Sequence, residues 1–199
     1  QEVISEPPKE EKPNNTKGLI LGLLAIIILI AMALWAVPGD IFAPKAKPAK
    51  VPSIEEVLPP QMNVPDRPQS KEMYAYLQTS STVKLVAARV AGQTCNSPDQ
   101  RCYADALYYF VRDNINYLND PVGEYYELPE ETMLAGAADC DGQAILLASL
   151  MQAVGIQTRF KHTPGHVAIE AWVPTTNIFD QPYVKEWVLY DATCKTCRA

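Results

Sequence analysis

From Gly18 to Val37 the chain runs GLILGLLAIIILIAMALWAV, 20 residues without one charged side chain. About 20 apolar helical residues are what a bilayer core of roughly 30 Å requires. A helix on the surface of a soluble domain needs a polar face, and this stretch has none. The hydrophobic core of a cleaved signal peptide runs about 7–15 residues, so the stretch is too long for that reading, although Ala31, Ala33 and Ala36 would suit a cleavage site. Residues 18–37 are therefore expected to span a membrane as one helix, with Trp35 in the interfacial belt.

The flanks differ from the span and from each other. Residues 1–17 are polar, with Pro7, Pro8 and Pro13, and are expected to be a disordered tail. The sequon Asn14-Asn15-Thr16 in that tail would matter only on the outer face of a glycosylating host. Residues 38–69 hold eight of the 17 prolines and read as a linker, with one local turn of helix near Ser53–Leu58. Extended proline-rich chain rises about 3.1 Å per residue, enough to hold a domain tens of ångströms from the membrane. Lys9, Lys12 and Lys17 before the span balance Lys45, Lys47 and Lys50 after it, so charge leaves the orientation nearly open. Residues 70–199 form the globular domain, which is long enough to bury a core of its own. A net charge of −6 and the lack of any basic cluster exclude nucleic-acid binding through phosphate contacts.

Within residues 70–199 helical periodicity comes first. Lys71–Ala91 reads as one helix, or as two broken near Thr79–Ser81, and Ala104–Leu118 reads as an amphipathic helix. Pro129–Gly136 suits a short helix opened by proline and two glutamates. Asp139 is a good N-cap for a helix that is apolar nearly all round, and Gly155 closes it. The period then changes to two. Ile156–Lys161, Val167–Val173 and Trp187–Tyr190 read as strands, the second followed by a loop over Pro174–Tyr183. Helices followed by an antiparallel sheet make an α+β fold.

Five cysteines and two histidines narrow the chemistry. Cys140 alone opens a buried helix, where unpaired N–H groups and the helix dipole favour a thiolate, the nucleophilic form. His166 begins a strand, and Asp191 ends the strand expected beside it. From those positions imidazole can reach the thiol and the carboxylate can fix the imidazole tautomer. His162, in His162-Thr163-Pro164-Gly165, reads as a turn residue and is the weaker candidate for a base.

The segment AADCDGQAILLASLMQAVGI resembles the Gly-Asp-Cys helix of the transglutaminase-like superfamily. GHVAIEAW is similar to that family's histidine strand, WVLYDAT to its Asp-Pro-Thr strand, and INYLND to its tyrosine-containing segment. The likeness covers roughly residues 104–193. It departs from the family pattern at Ala138, where glycine is usual, at Val167-Ala168-Ile169 after the histidine, and at Ala192, where proline is usual. The resemblance implies a papain-like α+β core with Cys140 as nucleophile, His166 as general base and Asp191 as orienting carboxylate. It also implies acyl transfer on a protein or peptide, to water or to an amine. The backbone N–H of Cys140 would serve as one oxyanion donor, with Gln143 and Tyr117 as candidates for a second.

Setting Cys140 aside leaves Cys95, Cys102, Cys194 and Cys197, which could form disulfides in any of three connectivities or hold a structural zinc. A Cys-x-x-Cys redox pair at Cys194 and Cys197 is a further option. If they are oxidised, the domain lies on the extracytoplasmic side of a cell membrane and the span is a single-pass anchor. No cofactor is expected, and no metal at the catalytic site: Asp139, Asp141 and the Glu130-Glu131 pair lack the spacing of a calcium-binding loop. The competing functional reading is a non-catalytic interaction module that keeps the fold without the activity.

Overall fold

The computed structural model describes residues 16–36, 48, 50–120, 122–175 and 184–195. Most of the expected tail, the start of the proline-rich segment, the loop over 176–183 and Cys197 lie outside the described residues. The chain divides into two compact units, residues 1–44 and 45–199.

In the first unit, α1 (Thr16–Ala36) takes up the uncharged stretch. The side chains described there form an unbroken run only over 20–30, and they are exposed. Among the described residues no helix is long and apolar enough to cross a membrane.

The second unit contains, in order, α2 (Ile54–Val57), a 3-10 turn (Met73–Tyr76), α3 (Ser81–Thr94), α4 (Gln100–Asn114), β1 (Asn116–Tyr117), α5 (Pro129–Ala135), β2 (Ala137–Ala138), α6 (Cys140–Ala153), β3 (Thr158–Thr163), β4 (His166–Thr175) and β5 (Val184–Tyr190). β3, β4 and β5 form an antiparallel sheet in that order. The α+β reading therefore holds. α6 lies centrally, packed on α3, α4, α5 and the sheet, and every residue from Asp141 to Met151 is buried. Its apolar character all round is satisfied by neighbours on every side.

Local chemistry sets the boundaries. The 3-10 turn and α3 realise the broken alternative for residues 71–91, because Ser80 caps α3 by accepting the Val83 N–H. α4 begins four residues before the expected Ala104, because Asp99 accepts the Arg101 N–H at 2.8 Å. Cys102 is therefore helical, and its disulfide with Cys95 staples the start of α4 to the end of α3. α4 also stops before the expected Leu118. Asn116–Tyr117 instead pairs in parallel with Ala137–Ala138, a two-residue ladder too short to leave a periodic signal. α5 ends at Gly136, whose φ of 62° lies in the left-handed region open to glycine.

Residues 50–69 depart from the expected free linker. Val57 is fully buried, and Val51, Ile54 and Leu58 pack on the core. The Ile54 N–H donates to Asn114 Oδ1 at 2.9 Å, and Arg89 donates to the Val57 carbonyl at 2.9 Å. Arg67 donates to Glu131 at 2.6 Å and to the Tyr126 carbonyl at 2.9 Å, with its guanidinium 4.1 Å from the Tyr125 ring centre. Proline density marks an extended chain, but it does not decide whether that chain is solvated or lies in a groove.

Candidate active site

The site forms where the first turn of α6 meets the start of β4. Asp139 turns the chain into α6: its Oδ1 accepts N–H groups from Asp141 at 3.0 Å and Gly142 at 3.4 Å. Cys140 is thereby the first residue of the helix, and it is the one free cysteine among the described residues. The β1–β2 ladder sets Tyr117 opposite Ala138, and Tyr117 lines the cleft beside Cys140. From the sheet side, Val167 lines the same cleft as Cys140, and its N–H works to lower the thiol.

His166 is carried to the same place by a tight connection at Pro164-Gly165, where Gly165 has a φ of 72°. Its Nε2 lies 2.9 Å from Asp191 Oδ2. The pairing of β4 with β5 makes that contact, since Ile169 opposes Tyr190 and Asp191 follows directly. The other oxygen, Oδ1, accepts from the Thr193 N–H at 3.1 Å and the Thr193 hydroxyl at 2.7 Å. Both carboxylate oxygens are thus engaged. Burial alone would raise the Asp191 carboxyl, but hydrogen bonds from Thr193 and His166 hold it below the usual carboxylate range.

A cleft of about 410 Å³ is lined by Cys140 and His166, together with Tyr117, Tyr126, Asp139 and Asp141. His162 also lines it. Rather than standing in a turn, His162 pairs with Val167 inside β3; it is exposed and packs on Phe160. Of the two histidines, only His166 has a carboxylate partner among the described residues. Gln143 is corrected as an oxyanion donor. It is fully buried and its amide donates to the Ala138 carbonyl at 3.0 Å. Tyr117, 49% exposed and against the sulfur, stays available.

The electrostatics of Cys140 also differ from expectation. The helix terminus was expected to lower its pKa. Instead burial pushes the thiol up, and the neighbouring Asp139 and Asp141 carboxylates push it further, against the lowering effect of the Val167 N–H. Glu127 was not foreseen at all. One oxygen each from Glu127, Asp139 and Asp141 lie within 4.8 Å of one another. Burial is the leading cause that pushes Asp141 up to about 9 and Glu127 up to about 7, with like charges adding to it. Glu127 lies twelve positions before Asp139 in the chain, so no spacing rule joins them; the ladder and α5 fold the loop back.

The model of the transglutaminase-like superfamily matches residues 87–192. No curated protein matches the chain. Among solved structures, a candidate protease from Parabacteroides distasonis is 15% identical with a TM-score of 0.42, covering 51% of this chain and 23% of its own. A candidate cysteine protease from Cytophaga hutchinsonii is 19% identical with a TM-score of 0.43, covering 62% of this chain and 43% of its own. LapG of Legionella pneumophila is 16% identical with a TM-score of 0.43, covering 74% and 77%. The chain spans less than half the length of the first two.

Proposed function

The chain belongs to the transglutaminase-like superfamily, and we propose that it is a membrane-anchored cysteine enzyme that transfers acyl groups from protein or peptide substrates on the extracytoplasmic side. One observation carries this reading. The thiol that opens α6 and an imidazole bonded at 2.9 Å to a carboxylate line one cleft.

In this mechanism Cys140 attacks the carbonyl of a peptide or carboxamide. Because burial keeps the thiol protonated, His166 must take its proton as attack proceeds, acting as a general base. With Nε2 held by Asp191, the other ring nitrogen is the one that exchanges the proton. The carbon–sulfur bond forms, the carbon–nitrogen bond breaks, and His166 returns the proton to the leaving amine. Water or a second amine then releases the thioester. Asp191 fixes the ring and offsets the imidazolium charge. The Cys140 N–H and the Tyr117 hydroxyl are the oxyanion donors within reach.

Two features support this location. The Cys95–Cys102 disulfide, and the oxidised state of Cys194, fit an oxidising compartment. The uncharged helical stretch then serves as an uncleaved anchor with the N-terminus inside.

The test compares the full chain with Cys140→Ala on denatured protein, and on glutamine donors with an amine acceptor. Loss of about a thousandfold or more in one assay supports the reading and distinguishes hydrolysis from transfer. Equal turnover by the variant in both assays, above background, overturns it.

A further inference from the structure

The sheet has an edge that the proposed chemistry does not use. β3 is an outermost strand, paired with β4 on one side only. The Trp172 N–H donates to the Gln157 carbonyl at 2.9 Å. In an antiparallel ladder, pairs bonded in this way alternate with pairs that turn their backbone groups outward. Arg159, Lys161 and Thr163 therefore spend their N–H and carbonyl groups on β4, and Thr158, Phe160 and His162 turn theirs to the open side. Among the described residues no backbone hydrogen bond reaches that side.

The open side leads into the cleft. β3 runs from Thr158 towards His162 and Thr163, both of which line the cleft with Cys140 and His166. Its two flanks differ. Phe160 pairs with the buried Ile169, so Thr158, Phe160 and His162 share the core-side flank. There the ring centres of Tyr74 and Phe160 lie 4.7 Å apart, and those of Phe160 and His162 6.3 Å apart. The other flank carries Arg159 and Lys161, which share Glu170 at 2.6 Å and 3.7 Å. Arg159 is also stacked on Trp187, with its guanidinium 4.2 Å from the ring centre, so Lys161 is the cation held more loosely. Two cations on one carboxylate leave this flank positive in a chain whose net charge is −6. A second copy of the same edge would set like charges face to face, so the fitting occupant is a different chain.

We propose that β3 takes the substrate as an added antiparallel strand, and that this strand is an extended peptide in which apolar side chains alternate with acidic ones. Antiparallel pairing is the more stable direction per residue. A chain laid that way beside β3 runs away from the cleft, so the docked stretch lies on the C-terminal side of the reacting carbonyl. Main-chain bonds to Thr158, Phe160 and His162 supply affinity, and the two flanks supply selectivity. Apolar residues opposite Phe160 and His162 meet the aromatic flank, and the acidic residues between them meet Lys161. This docking rests on the enzyme reading for the nature of its occupant, and it narrows the substrate of that same site to segments that are extended or unfolded.

The test uses the full chain carrying Cys140→Ala, in detergent, and follows a fluorescein-labelled peptide amide of alternating valine and glutamate by fluorescence anisotropy. Saturable binding is expected, and the matching valine–lysine peptide should bind at least about tenfold more weakly. His162→Pro removes an outward N–H where an edge strand tolerates proline, and should weaken binding about tenfold or more. Lys161→Glu should do the same, and is the variant to rely on if His162→Pro does not fold. Lys185→Glu, on β5 at the far side of the sheet, should leave binding unchanged. N-methylation at every valine should abolish binding, because those N–H groups face β3, and N-methylation at every glutamate should leave it unchanged. No saturable binding up to millimolar peptide would overturn the docking edge. So would equal affinity of the two methylated peptides, or parental affinity in Lys161→Glu. The reverse order of the methylated peptides would overturn the antiparallel direction. Because the readout is binding by a chain without the thiol, it is independent of whether Cys140 is catalytic.

Discussion

The two walls of the cleft are built on opposite principles. On the strand wall the base and its carboxylate are engaged: His166 meets Asp191, and the second oxygen of Asp191 takes both the hydroxyl and the N–H of Thr193. On the helix wall, Asp141 keeps a buried oxygen without a partner beside a thiol pushed up by burial, and so does Glu127, which lies against Gly142 in the same helix turn. A fully bonded wall holds a side chain in one orientation. A wall of unpartnered carboxyl groups that hold their protons is poised to change state as pH rises. The strand side therefore supplies geometry, and the helix side supplies response.

The sharpest break of this contrast is Asp191→Asn. It keeps the shape of the strand wall but offers imidazole a donor on one side of the amide. A fall in kcat of about 10²–10⁴-fold is expected with little change in KM. A fall of less than tenfold would mean that the strand wall does not orient the base. Gly142→Ala attacks the helix wall. The new methyl group must displace Glu127 and press on Ala138, at a cost of about 1–3 kcal/mol in denaturant unfolding. Thr193→Val removes one donor from Asp191 and should cost about 1 kcal/mol.

The smallest effect separates the walls by sign. Asp191 lies below its ordinary value when folded, so its contribution is complete above about pH 4 and is lost as pH falls through the folded value. Asp141 and Glu127 lie above theirs. The folded chain holds protons that the unfolded chain releases, so stability declines as pH rises from about 4 towards 9. Glu127→Gln should flatten the part of that decline up to about pH 7. Urea unfolding across pH would check both slopes, and a common slope for the two walls would erase the contrast.

How much of this could be read in advance depended on the range of the interactions. α6 was legible because an N-cap, an apolar run and a closing glycine lie within 17 residues of one another. β3, β4 and β5 showed the two-residue period, so the facing of His166 and Asp191 followed from ordinary alternation. Three features left no such trace. The β1–β2 ladder is two residues long. Glu127 joins Asp139 and Asp141 only through the return of a loop. The raised thiol reflects burial and carboxylates in three dimensions, whereas position along the chain pointed the other way. The placement of residues 50–69 was also hidden, since Val57 sits in a proline-rich stretch that looks like a spacer.

That last placement bears on how the domain is held. Tension reaching the second unit through its N-terminal end meets the Ile54–Asn114 and Arg89–Val57 bonds first, then the Arg67 grip on Tyr126 and Glu131. These contacts lie ahead of the 3-10 turn and α3 in the chain. The domain's working fragment therefore begins near residue 50, and trimming it to Ser70 would strip away the fastening along with the slack.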